Sequence, residues 1–300
     1  MRNKRDLVEI FGHAPDDVSP QARLLWRMGA CPFVQRECIK FNHDKTITYG
    51  TCSATSPHGE IIICPNRLYA DSHGTVRAVA RDAFGDQLQF VLFDEYVGRR
   101  ETLQTGVVAL GKHSGREVRV GQSLSMDWIL AWIDNGVLRE YVGLEVQSID
   151  ITGNYRDAWH AYHSLSDFPD RPIPASQHGL NWANVHKRLI PQLIRKSLVY
   201  SSSGLVKRGM YFIVPEIVFR KFEELLGEMP PVGDRGADTI SVFTYGLGAA
   251  VEHGAVRSLE HVRTIRFSLR DLSQRFISGP NLPAGNELDR AVLRLLGIQQ

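Results

Sequence analysis

Short apolar runs and amphipathic stretches alternate along the chain, punctuated by Gly- and Pro-rich segments. The pattern predicts a helical start over 1–30, with Ser19 as N-cap and Pro20 in the first turn. A buried strand follows at 60–64, a helix at 71–84, and short strands at 90–93 and 105–110. Residues 111–115 read as a turn. From 125 to 147, two strand-like runs flank Asp134-Asn135-Gly136 and predict a hairpin. Residues 149–154 read as a loop, 155–164 as a short helix and 166–177, with three prolines, as a surface loop. Trp182, Val185, Leu189, Leu193 and Ile194 recur at helical spacing and predict an amphipathic helix over 181–198, kinked or split at Pro191. A strand at 209–214, a helix at 219–226, a Pro/Gly-rich connection at 228–237, strands at 239–244 and 264–269 and a helix at 287–296 complete the chain. This alternation predicts an α/β fold with a central mixed sheet flanked by helices. It divides into 1–30, a cysteine-bearing segment 31–68, a core 69–225 and an extension of that core, 226–300.

The hairpin carries the first chemical signal. Asp127 stands on one strand, and Glu145 and Gln147 stand on the next. Glu145 and Gln147 are two residues apart, so they share one face. A carboxylate in an apolar strand is expected to be buried only if it is paired or binds metal. Two carboxylates on neighbouring strands suit Mg²⁺. A two-residue Asn-Gly turn would pair Asp127 with Leu144 and place the acids on opposite faces. A three-residue loop with Gly136 left-handed would pair Asp127 with Gly143 and put Glu145 on the diagonal of the same face. The chemistry requires the second register, which is the expectation. The plain alternative is a half-exposed hairpin with ordinary surface acids.

Composition adds little: 300 residues, 43% apolar and 23% charged, are those of a soluble globular protein. No apolar run approaches a membrane span and no apolar signal core follows the N-terminus, so a cytoplasmic location and no membrane partner are expected.

The cysteines change the picture. All four lie between Cys31 and Cys64, at C-x6-C-x13-C-x11-C spacing, in loop-like sequence. Cys31, Cys38, Cys52 and Cys64 together suit a closed tetrahedral site, and both Zn²⁺ and Fe accept four thiolates. Four buried free thiols are the alternative.

Charge is uneven. Residues 171–215 contain no Asp or Glu, although 33 acids in 300 residues would place about five there. The stretch holds Lys187, Arg188, Arg195 and Lys196, which largely avoid the apolar stripe. A wholly basic segment is an electrostatic footprint for phosphates. A solvated basic face without a partner is the alternative.

Several motifs resemble the NotI-type type II restriction endonucleases, most closely the EagI branch. They are Arg5-Asp6-Leu7-Val8-Glu9, Ala30-Cys31-Pro32-Phe33, Ile62-Ile63-Cys64-Pro65-Asn66-Arg67, Ser123-Leu124-Ser125-Met126-Asp127-Trp128, Glu145-Val146-Gln147-Ser148-Ile149-Asp150 and Gln177-His178-Gly179-Leu180-Asn181-Trp182-Ala183-Asn184. The resemblance covers residues 1 to about 225 well and the remainder weakly. It implies a PD-(D/E)xK nuclease fold, with 31–68 as a four-cysteine metal module and 69–225 as a nuclease core bearing a basic DNA-binding helix. It further implies a homodimer on double-stranded DNA, GC-rich palindromes centred on GGCC such as CGGCCG, iron on the cysteines and a cognate DNA methyltransferase. Asp127 and Glu145 then become Mg²⁺ ligands, joined by the Val146 carbonyl. Met126 stands where the fold's name has Pro. Gln147 takes the place usually held by Lys, and can orient water or phosphate but not supply positive charge.

On this reading Mg²⁺ polarises the scissile phosphate and activates a water that Gln147 positions. Glu117 is a further acidic candidate. Asp150 reads as structural, and His178 and His186 as phosphate or core contacts. Lys187, Arg188, Arg195 and Lys196 are expected on phosphates, which position without specifying. Lys40, Lys45, Arg67, Lys112, Arg116 and Arg119 are candidates for reading guanine. A non-catalytic, metal-stabilised DNA-binding regulator and a repair nuclease of the same fold are the competing readings.

Overall fold

The computed structural model describes residues 5–121, 124–279 and 284–298. Ser123, the first residue of one resemblance motif, and the start of the N-terminal segment lie outside them. In chain order the elements are β1 (Leu7–Ile10), α1 (Pro20–Met28), β2 (Ala30–Cys31), β3 (Arg36–Glu37), β4 (Thr51–Ser56), β5 (Gly59–Ile62), α2 (Ala70–Phe84), β6 (Phe90–Leu92), α3 (Phe93–Arg99) and β7 (Gly106–Gly111). Then come β8 (Val118–Val120), β9 (Leu124–Met126), β10 (Trp128–Asp134), β11 (Val137–Val146), β12 (Ile151–Asn154), α4 (Arg156–His163) and β13 (Gln177–Leu180). The chain closes with α5 (Ile190–Ser201), β14 (Met210–Pro215), α6 (Glu216–Leu226), β15 (Thr239–Leu247), β16 (Leu259–Ser268), α7 (Leu269–Ser278) and α8 (Gly285–Leu296).

Seven strands form one mixed sheet in the order β16-β15-β14-β11-β10-β7-β6. The β11/β14 and β14/β15 pairs are parallel, and β10 is antiparallel to both β7 and β11. The expected mixed α/β architecture is therefore present. Every residue of β14 is buried, as a parallel strand covered on both faces requires. Side-chain alternation sends Leu144, Val146, Tyr211 and Ile213 to a core shared with the cysteine segment, α2 and α4. Phe212, Val214 and Val242 go to a second core under α5, α6 and α7.

Local chemistry accounts for the element ends. The Ser19 hydroxyl accepts from the Ala22 N–H at 3.3 Å, and Gly29 closes α1 in the left-handed conformation (φ 58°). The expected helical N-terminal segment thus shrinks to α1, and it is preceded by β1, which pairs with β4. The expected loop at 149–154 contains β12 instead, paired with β13. The basic helix changes its winding instead of breaking: a π-helical turn (Val185–Leu189) runs directly into α5, and Pro191 stands just after that change. Asp71, Ser72 and His73 are all left-handed, so regular helix in α2 begins only after them.

The cysteine segment is fastened by charge as well as by apolar packing. Arg67, fully buried, makes two hydrogen bonds to the equally buried Glu9 carboxylate on β1, at 2.9 and 3.0 Å. Ser53 donates to the same carboxylate at 2.8 Å. Breaking such a pair by removing one partner costs about 3–5 kcal/mol, since it strands a buried charge. Arg67 is therefore a structural residue, not one available to read guanine.

Candidate active site

The hairpin register differs from both registers expected from sequence. Asn135 and Gly136 are both left-handed (φ 51° and 72°) and form a two-residue turn that pairs Asp134 with Val137. A bulge then intervenes: Trp132 pairs with Glu140 and Ile133 with Leu138, leaving Arg139 as the extra residue. Below it the ladder runs Trp128↔Leu144, which brings Asp127, just before β10, level with Glu145. The expected three-residue loop does not form. The shared face that motivated it is nonetheless achieved, because the bulge shifts the lower ladder by one residue.

Backbone N–H groups of the facing strand segments hold both acids. The Val146 N–H donates to Asp127 Oδ2 at 3.1 Å, and the Asp127 N–H reaches Glu145 Oε1 at 3.4 Å. Asp127 is half-buried, whereas Glu145 is only 4% exposed. Burial, and next the neighbouring Asp127, push the Glu145 carboxyl up to about 8, with Lys196 opposing them. A buried acid held against a second acid is a common functional-site signature.

Lys196 is the largest departure from expectation. It does not stand among exposed phosphate contacts. It lies on the buried face of α5, 8% exposed, and its Nζ donates to Glu145 Oε2. Tyr200, four residues on, covers Gly143, where an added Cβ would fall 2.0 Å from the ring. Two strand residues span about 6.7 Å and four helix residues about 6 Å, so α5, running antiparallel to β11, stays in step with it. Tyr141, one strand step further back, hydrogen-bonds Ser203 at 2.9 Å and so continues the match. The Tyr200 hydroxyl is buried and has no hydrogen-bond partner among the described residues. Burial and then the charges of Glu145 and Asp127 hold its proton on well above the usual range. The sequence does carry a signal for Lys196. Leu189, Leu193, Lys196 and Tyr200 follow helical core spacing, a stripe that becomes visible only when it is extended as far as Tyr200.

Gln147 continues the β11 ladder, its N–H donating to Ile213 O at 3.0 Å, and its side chain is half-buried. Glu117 is not delivered to the acid pair. Its carboxylate accepts from the Ser125 hydroxyl and pairs with Arg119 at 2.8 Å, and these two bonds lower its pKa. Asp150 accepts from Asn184 at 2.9 Å. His178 is buried between Ser176 (2.7 Å) and the Thr55 carbonyl (2.8 Å), which makes it a core contact. His186 is half-buried on the π-helical turn, while Lys187, Arg188 and Arg195 are exposed and have no ion-pair partner among the described residues. Lys45, Lys112, Arg116 and Arg119 are exposed as well, and Lys40 is half-buried.

Cys31, Cys38 and Cys52 belong to the first core, all four cysteines are no more than 6% exposed, and all are free thiols. Burial raises Cys38 to about 11 and also raises Cys52 and Cys64, and each of these feels the charge of other cysteines in the group. The Lys40 N–H donates to Cys38 Sγ at 3.4 Å. Four thiols are the donor type that iron or zinc takes, although burial holds Cys38, Cys52 and Cys64 in the neutral form, which does not ligate. The shell is not closed: among the described residues no group of three or more His, Cys, Asp or Glu stands in a metal-holding arrangement. Also among the described residues, no helix is long and apolar enough to cross a membrane. No protein-family profile matches the chain, and a search of curated proteins finds no match.

Proposed function

We propose that this protein is a Mg²⁺-dependent endonuclease of the PD-(D/E)xK class, and within that class a type II restriction endonuclease acting as a homodimer on GC-rich palindromic duplex DNA. The observation that carries the reading is the Asp127–Glu145 pair, two carboxylates set level on one sheet face, with Glu145 accepting from the Asp127 N–H and Asp127 from the N–H of Val146. A hairpin bearing the acids, followed by a helix and parallel strands, supports the fold assignment. The motif resemblance supports the restriction activity, the GGCC-centred target and a cognate methyltransferase in the same system.

Mg²⁺ takes one or two carboxylates plus water and phosphate oxygens, and when bound it supplies Lewis-acid polarisation of the phosphate. Asp127 and Glu145 would hold it, with the Val146 carbonyl adjacent. Asp127 keeps its orientation through the Val146 N–H, so its free oxygen is fixed rather than mobile. Gln147, on the same face as Glu145, orients the attacking water or a phosphate oxygen by hydrogen bonding. Exposed Lys187, Arg188 and Arg195 seat the DNA backbone. The cysteine segment carries Fe or Zn as a structural ion.

Digestion of phage-sized duplex DNA, with and without Mg²⁺, tests the reading. Discrete Mg²⁺-dependent fragments are expected from the parent. Asp127→Asn, which keeps the acceptor for Val146 but loses the charge, is expected to cut ~10³-fold or more slowly at unchanged melting temperature. Intact DNA with a retained mobility shift would instead leave a DNA-binding regulator, and ragged products a repair nuclease.

A further inference from the structure

We propose that Lys196 is the cationic group of this active site, delivered from helix α5 to the place where strand β11 offers only the neutral Gln147. The proposal rests on the nuclease reading and deepens it.

A phosphodiester gathers negative charge on its equatorial oxygens as water attacks, and a fixed cation beside it is worth far more than a neutral donor. Gln147 is neutral. Lys196 is the cation hydrogen-bonded to the acid pair, with Nζ on Glu145 Oε2, while Glu145 Oε1 faces the Asp127 N–H. The two oxygens of Glu145 therefore have different duties. One faces Asp127, with which it would hold a metal, and the other holds the lysine. An ammonium carries three donors, so two remain for a phosphate oxygen or water.

Packing gives no reason for a lysine here. Position 196 lies between Leu193 and Tyr200 on the buried face of α5, where an apolar side chain would fill the space. Buried ion pairs are often no more stabilising than apolar residues of the same volume. A buried cation aimed at one of two clustered acids thus points to chemistry rather than stability. The buried Tyr200 hydroxyl, unpartnered among the described residues and close enough to both acids to feel their charge, places a second donor on the same helix face.

In the reaction, water adds to phosphorus and the bond to the leaving sugar oxygen breaks. The water proton goes to solvent and the leaving oxygen takes one up. Lys196 serves as a charge partner for the phosphate and is not asked to give up or take a proton, and no electrons are transferred to or from the protein.

The test compares the parent, Lys196→Met and the double variant Gln147→Lys/Lys196→Met, which moves the cation from helix to strand. Single-turnover cleavage is measured at saturating Mg²⁺. Binding of Mn²⁺ alone is measured without DNA by the loss of free-ion EPR signal. Lys196→Met is expected to cut about 100-fold more slowly, to bind Mn²⁺ at least as tightly as the parent, since a competing positive charge is gone, and to regain about tenfold or more in the double variant. Lys196→Met cutting within about threefold of the parent would overturn the proposal while leaving the nuclease reading intact. So would loss of both cleavage and Mn²⁺ binding with no recovery in the double variant, the behaviour of a counterion needed only for folding. A parent that cuts no DNA would overturn the nuclease reading, and the proposal with it.

Discussion

Gly143 and Glu145 show how much one side chain decides. They point to the same face of β11 beneath α5, and the absence of a Cβ at Gly143 lets the Tyr200 ring lie directly on the strand. That packing keeps α5 close enough for Lys196 to reach Glu145. Gly143→Ala is therefore expected to destabilise the protein by about 1–3 kcal/mol, the usual cost of overpacking, read as a lower midpoint in urea. It should also weaken the coupling between positions 145 and 196 in a double-mutant cycle, because the helix must move outward. Asp127, Glu145 and Gln147 are legible in the sequence because an acid in an apolar strand stands out locally. Lys196 is legible only in part: its place on the stripe that runs on to Tyr200 marks it as inward-facing, but the acid it meets is unknown until the strand beneath α5 is known.

At the scale of elements, the hairpin is the instructive case. Its existence, its Asn-Gly turn and its acids are legible in the sequence. Its register is not, because Arg139 carries no mark distinguishing a bulged residue from a paired one. The unexpected strands β1 and β12 have a similar cause: each is only 4 residues long and pairs with a strand distant in sequence or across a loop, so no local periodicity announces it. The bulge itself makes a prediction. Deleting Arg139 would let Trp132↔Glu140 follow Ile133↔Leu138 directly, leaving the lower ladder and the acid pair in place. The deletion removes one exposed ion pair, with Asp134, worth at most about 1 kcal/mol. The deletion variant is expected to keep Mg²⁺-dependent cleavage within about threefold, whereas deleting Val142, below the bulge, should abolish it by sending Glu145 to the other face. Equal impairment of both variants would mean that the bulge itself shapes the site.

At the scale of the molecule, the acid-free stretch folds into two unlike parts. Lys196 goes inward to the acids, while Lys187, Arg188 and Arg195 stay outside. Replacing these three by Gln is expected to weaken binding to all duplex sequences alike and to flatten the salt dependence. The log–log slope should fall by about 0.9 for each phosphate no longer neutralised. A mobility-shift series from low to moderate salt measures this, and an unchanged slope would place the DNA elsewhere. The cysteine group is tested by elemental analysis of the purified protein. One iron or zinc per chain is expected, with loss of both metal and fold in Cys52→Ser, because burial leaves no solvent to replace the missing ligand.

The ion pair between Glu145 and Lys196 spans 51 positions of the chain. At the usual pace of translation, about 5–20 residues per second, Glu145 leaves the ribosome several seconds before its partner. Through that interval the hairpin exists without α5 over it and without β14 beside it. A fragment stopped after Glu145 but short of Lys196 holds both acids yet not the charge that pairs with Glu145. On the proposed activity, a nascent or broken chain would therefore be silent toward the DNA of the cell that makes it, and cutting is expected only once the late-arriving helix has closed over the strand.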